Sequence, residues 1–156
     1  MALNDLVVLR WGSVLIRVGT RTPDVEYIEL LHRTFDKMLK VHPSVGWLTW
    51  LPEDAGLPEE PTRLRSVTML RALGTRLGGV VVVATGKGFH GSVTRSVITG
   101  MTLTAGSSFP LKITEQLREG CLWLGEQMVP EVDGEQLFTL ATSLGNQVNV
   151  YDRGVG

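Results

Sequence analysis

Apolar residues in this chain fall into short dense runs, separated by longer segments in which they recur every three or four positions. The runs predict strands and the spaced segments predict helices. "LVVLRW" and "SVLIRVG" flank Gly12 and are rich in β-branched residues, which predicts an opening hairpin. "TPDVEYIELLHRTFDKMLKVHP" reads as a helix. Thr22 is placed to cap it, Pro23 to occupy its first position, and Asp24 and Glu26 to suit the positive end of its dipole. Val25, Ile28, Leu31, Phe35, Met38 and Leu39 form its apolar face, and Pro43 marks its end.

"VGWLTWL" is the third expected strand, and its two tryptophans, Trp47 and Trp50, should point to opposite faces. "PEDAGLPEEP" reads as an exposed loop. "TRLRSVTMLRALGTRLG" predicts a second helix, with Leu64, Val67, Leu70, Leu73 and Leu77 inward and Gly78 and Gly79 as its stop. "VVVVA" predicts a central strand buried on both faces, with parallel neighbours. Phe89 to Ala105 reads as a helix rich in Gly, Ser and Thr, with Ser96, Gly100 and Thr104 in a flat stripe. "FPLKIT" predicts the fifth strand. "TEQLREGCLWLGEQM" predicts a helix with Leu117, Cys121, Leu124 and Met128 in register. After Pro130, "DGEQLFTLATSLGNQV" predicts a last helix, with Asp133 as its cap and Gln136 three residues on. The expected order is β-β-α-β-α-β-α-β-α plus a C-terminal helix, an α/β domain with a sheet of about five strands.

Composition narrows the classes. The length of 156 residues suits one domain, and 43% hydrophobic against 20% charged residues suits a chain that buries a core. A net charge of −1 provides no basic field for nucleic acid. The single cysteine, Cys121, has no internal disulfide partner and no zinc-ligand spacing, which favours the cytoplasm. "MALNDLVVLRW" reads as neither a signal peptide nor a membrane span, so no membrane insertion is expected.

One loop invites a chemical reading. Gly86, Gly88 and Gly91 fit G-x-G-x-x-G at the end of the valine-rich strand. Glycines there permit close backbone approach to a phosphate, and the following helix offers unpaired N–H groups. Lys87, His90, Ser92 and Arg95 would add donors, and Glu115 stands where a ribose-binding acid would be expected. Against a dinucleotide stands the motif's late position, with only about 40 residues after Glu115. The pattern also misses the phosphate loop G-x-x-x-x-G-K-[ST]. The alternative is a strand-to-helix turn whose glycines permit tight packing.

The remaining candidates read as structure. His32, His42 and His90 lack a nucleophile at a recognised spacing, and no G-x-S-x-G elbow is present. His32 and Asp36 are placed for a surface pair, and Cys121 for the core. Glu53, Asp54, Glu59 and Glu60 miss a calcium-loop spacing. Arg63, Arg65, Arg71 and Arg76 read as the wet face of the second helix, and Trp123 as a half-apolar position open to a protein interface. No catalytic residue, metal site or cofactor is expected.

The opening hairpin "LVVLRWGSVLIRV", the long first helix and the block "GGVVVVATGKGFHGSVTRSVITGMTLTAGSSFPLKITEQLREGCLWL" together resemble the STAS or SpoIIAA-like domains, typified by bacterial anti-anti-sigma factors. The resemblance spans Leu6 to Met128 and closes on the cadence from Thr114 to Leu124. It implies a STAS-like domain over residues 1–128, with 129–156 as a helical extension and tail. It further implies a non-catalytic module that docks to a partner protein or to copies of itself. Phosphoregulated members carry an Asp-Ser acceptor where their second helix begins. Here "LPEDAGLPEEPTRL" holds that place, with Thr62 as its only hydroxyl, so no acceptor carries over. The expected docking surface comprises Glu53, Asp54, Thr62, Arg63, Arg65 and Trp123. The alternative is a small-ligand or anion-binding domain using the segment from Gly86 to Arg95.

Overall fold

Strands and helices alternate as the hydrophobic pattern predicts, in a computed structural model that describes residues 6–19, 21–51, 56–85, 88–106 and 108–148. The hairpin is formed by β1 (Leu6–Trp11) and β2 (Val14–Gly19), paired antiparallel from Leu6↔Gly19 to Trp11↔Val14. That register leaves a two-residue turn. Gly12, at φ 57°, takes the left-handed conformation that matches the twist of the flanking strands. Next come α1 (Val25–Met38), β3 (Val45–Leu51), α2 (Glu60–Leu73), β4 (Leu77–Ala84), α3 (Gly88–Ala105) and β5 (Leu111–Thr114). The described chain ends with α4 (Leu117–Gln127) and α5 (Gly134–Gln147).

The strands lie in the order β1-β2-β3-β4-β5, and β2 through β5 are parallel. The order never reverses. Crossovers of one hand therefore lay α1, α2 and α3 on the same face. There Leu15, Val45 and Val80 of the sheet meet Ile28, Leu31 and Phe35 of α1 and Val67, Leu70 and Leu73 of α2. The opposite face carries α4 and α5. Val14, Ile16, Leu48, Val81 and Val83 meet Leu117, Cys121 and Leu124 of α4 and Leu137, Ala141 and Leu144 of α5 there. Period-two alternation thus feeds two cores from one sheet. Val80 to Ala84 is buried on both faces, as the unbroken apolar run requires. Trp47 and Trp50 do part company. Trp50 enters the α4–α5 core, while Trp47 stands edge-on to Phe35, with centroids 5.6 Å apart. Among the described residues no helix is long and apolar enough to cross a membrane.

Three local expectations are corrected. Asp24, not Thr22, caps α1, because its carboxylate accepts from the Tyr27 N–H at 2.8 Å. α2 stops at Gly74, which adopts φ 50°, rather than at Gly78 and Gly79, which lie in β4; Leu77 likewise begins that strand. Leu64 points outward and is 59% exposed. The inward face of α2 is built instead from Thr62, Ser66, Met69, Leu70 and Leu73.

Candidate functional site

The glycine-rich turn follows β4. Gly86 and Lys87 lie outside the described residues, as do Glu53 and Asp54 of the acidic loop. Gly88 and His90 belong to the first turn of α3, although the His90 side chain is not among those described. Gly91 is buried and Ser92 exposed. Arg95 faces Glu115 in an ion pair of 3.4 Å. The cation and the acid that sequence reasoning assigned to different parts of a nucleotide thus face one another. Dinucleotides occupy the crevice where strand order reverses, and these five strands provide no reversal at β4.

The arginines of α2 tie the structure together. Arg63 donates to the Pro58 carbonyl at 2.7 Å, which holds the incoming loop on the helix. Arg65 reaches across to His32 Nδ1 of α1 at 3.0 Å, and His32 Nε2 lies 3.9 Å from Asp36. Arg71 donates to Thr104 O near the C-terminus of α3 at 2.6 Å, and Arg76 to Ala72 O at 2.9 Å. The last two satisfy helix carbonyls that have no intrahelical donor. Thr62 is only 4% exposed and lies within the helix, out of a partner's reach. Trp123 is half-buried against the α4–α5 core. Cys121 is fully buried, and burial, with a smaller contribution from Glu135, pushes its thiol up to about 12.

A mainly apolar concavity lies elsewhere, between the sheet and α1 to α3. It is a cavity of about 120 Å³. Its floor is Arg17 of β2, Trp47 and Thr49 of β3, and Val80 and Val82 of β4. Its roof is Ser66 and Leu70 of α2 with Thr94, Val97 and Ile98 of α3. Tyr27 of α1 and the segment Gly56–Pro58 close one side. α3 packs on α2, and it turns Thr94, Val97, Ile98, Met101 and Thr102 toward the cavity.

Two hydroxyls of the lining are engaged within their own helices. Ser66 donates to Thr62 O at 2.8 Å, and Thr102 to Ile98 O at 2.9 Å, each inside its own helix. The lining is mainly apolar, and Arg17, Tyr27, Trp47 and Thr49 bring polar groups to its floor and side. Arg17, 2% exposed, donates to the carbonyls of Gly19 and Arg21 and lies 5.8 Å from the centre of the Tyr27 ring. Burial pushes the Tyr27 phenol above its ordinary range, and the charge and proximity of Arg17 pull partly back, so the phenol stays neutral. The Tyr27 hydroxyl and the Trp47 indole Nε1 are buried without a hydrogen-bond partner of ordinary geometry among the described residues. Sequence reasoning missed this site. Its one visible signal was Arg17, a charge inside the apolar run "SVLIRVG".

No protein-family model matches the sequence, and no curated protein does. A solved structure does match, an uncharacterized protein of the DUF3478 family with a SpoIIAA-like fold from Shewanella loihica PV-4. The identity is 15%, and the match covers 76% of this chain and 91% of that one, with a TM-score of 0.54. The likeness is one of fold, and this chain has the SpoIIAA-like, STAS-type fold, as its hairpin and strand–helix cadence suggest.

Proposed function

We propose that this SpoIIAA-like domain is a non-catalytic binding module that takes a small, largely apolar molecule into the cavity beneath α2 and α3. The observation that carries this is the cavity itself, mainly apolar in lining and roofed by α2 and α3. Small-molecule sites are concave, mainly apolar and furnished with a few polar groups. The described lining residues include no His, Asp, Glu, Cys or Lys, which supports binding over catalysis. The buried, unreactive thiol suits a cytoplasmic protein.

The test is thermal denaturation with small aromatic compounds such as ethylbenzene and acetophenone. At a concentration about ten times Kd, binding adds ~1.4 kcal/mol, or roughly 3–6 °C in Tm. The rise should saturate and should vanish in Val97→Phe, which fills the space from α3. Flat melting curves with every compound would sink the proposal.

A second reading, docking to a partner protein or to a second copy, is favoured by Leu30 of α1 and Leu64 of α2, which are 52% and 59% exposed. STAS-like domains are generally interaction modules, which supports the same reading. Light scattering on the protein and on the Leu30→Ser/Leu64→Ser double variant tests self-association. A monomer in both cases would remove that form of it. The anion reading of the segment from Gly86 to Arg95 has less support, because its Arg95 already faces Glu115.

A further inference from the structure

We infer that two copies of this chain join through the free edge of β1, antiparallel about a twofold axis at Val8, so that their two five-stranded sheets become one. This surface lies outside the cavity and apart from Leu30 and Leu64, so the inference depends on neither.

The two edges of the sheet differ. β5 has four residues, follows Pro110 and carries Lys112, three features that discourage strand pairing. β1 has six residues, "LVVLRW", with no proline, no lysine and an unbroken register against β2. Its one charge is Arg10. Among the described residues no strand pairs with its outer side.

Which backbone groups face outward follows from the pairing. The Gly46 N–H donates to the Ser13 carbonyl at 2.8 Å, so Ser13, Leu15 and Arg17 turn their backbone groups toward β3. Alternation turns those of Val14, Ile16 and Val18 toward β1, where Trp11, Leu9 and Val7 meet them. The N–H and C=O groups of Leu6, Val8 and Arg10 are left to the open edge.

That set is self-complementary. With Val8 opposite the partner's Val8, Leu6 falls opposite the partner's Arg10, and Arg10 opposite the partner's Leu6. Each of these pairs can exchange both of its backbone bonds. The same register sets Val7 opposite the partner's Leu9 on the α5 face. It also holds the two copies' arginines at opposite ends, ~13 Å apart along the strands. Centring the pair on Arg10 would instead bring like charges face to face. The surface beside the edge suits a second copy as well, because interfaces are depleted of charge at their centre. Gln136, Thr139, Leu140 and Ser143 flank Leu9 and Trp11, and the segment from Gln136 to Val148 contains no charged residue. Glu135, which borders it, is paired with Arg118.

Sedimentation velocity of the intact chain over a concentration series tests the pairing. A species of twice the chain mass is expected, and the Leu30→Ser/Leu64→Ser variant should keep it. Val8→Pro deletes an outward N–H and leaves the β1–β2 bonds in place, so it should give a monomer with the circular dichroism of the parent. Cross-linking reads the register and does not need the proline variant to fold. Directly opposed residues of such a pair lie ~5.5 Å apart at Cα, within reach of a disulfide. Under mild oxidation Val8→Cys should therefore form a covalent dimer roughly tenfold faster than Arg10→Cys. The parent chain, whose Cys121 is buried, should form none. A monomer at every concentration would overturn the inference. So would a dimer that persists in a folded Val8→Pro variant, or equal cross-linking of the two cysteine variants.

Discussion

Two glycine-to-alanine changes should shift stability in opposite directions. Gly145 of α5 lies against Trp50, and a methyl group there would come to 2.8 Å from the ring carbon Cη2. That is well inside the ~3.5 Å of an ordinary carbon contact. Trp50 is wedged in the α4–α5 core and cannot simply swing away. Overpacking of this kind costs about 1–3 kcal/mol, and the better helix propensity of alanine returns at most ~1 kcal/mol. Because the ring is held in the core, the upper part of that cost applies, about 2–3 kcal/mol, and the expected net loss is about 1–2 kcal/mol, or roughly 2–8 °C in Tm. Gly100 of α3 is the control, because a methyl there would meet nothing within 4 Å. Gly100→Ala should gain roughly 0.5–1 kcal/mol from propensity alone. Urea unfolding followed by circular dichroism measures both. A neutral or stabilising Gly145→Ala would show that α5 does not press on Trp50. A destabilising Gly100→Ala would show that this face of α3 is covered rather than open.

Two further outcomes follow from the titrating groups. With its thiol pushed up to about 12, Cys121 should resist an aromatic disulfide reagent at pH 8 and react only after unfolding in urea; prompt stoichiometric reaction of the folded protein would refute its burial. Glu119 is held below the ordinary Glu range, first by its hydrogen bond from Lys112 and then by that from Thr114. A depressed folded value contributes stability above the unfolded value, and that stability is lost as pH falls through the folded one. Glu119→Gln should therefore flatten the acid limb of the stability curve by lowering its neutral region slightly, with the two proteins converging at low pH. An acid limb that keeps its slope in the variant would contradict the pairing.

Much of the architecture was legible because periodicity reports burial directly. The Val80–Ala84 run, the opposed Trp47 and Trp50, and the Asp133 cap of α5, which accepts from the Gln136 N–H at 3.2 Å, all follow from local rules. α2 was misread for a physical reason. Part of its inward face consists of hydroxyls, Thr62 and Ser66, with Ser66 closing its hydrogen bond on the helix itself. A count of apolar residues does not register them, and so it turned Leu64 inward. The arginines looked like one solvated face, yet their partners, Pro58, His32 and Thr104, lie on three different segments brought together only by folding. The cavity was illegible for the same reason. It lies among α1, α2, α3 and the sheet, and no periodicity encodes how those elements pack together. Arg17 alone marked it, as a charge where the strand pattern demanded an apolar residue.

The most direct test of the binding site is a methyl-resolved NMR titration of the protein with acetophenone. The sheet supplies its own control, because it presents different residues to each face. Ile28, Val82, Val97 and Ile98 line the cavity, whereas Ile16, Val81 and Val83 lie on the α4–α5 side. Saturable shifts confined to the first set are expected. Shifts confined to the second set, or none in either, would contradict the site.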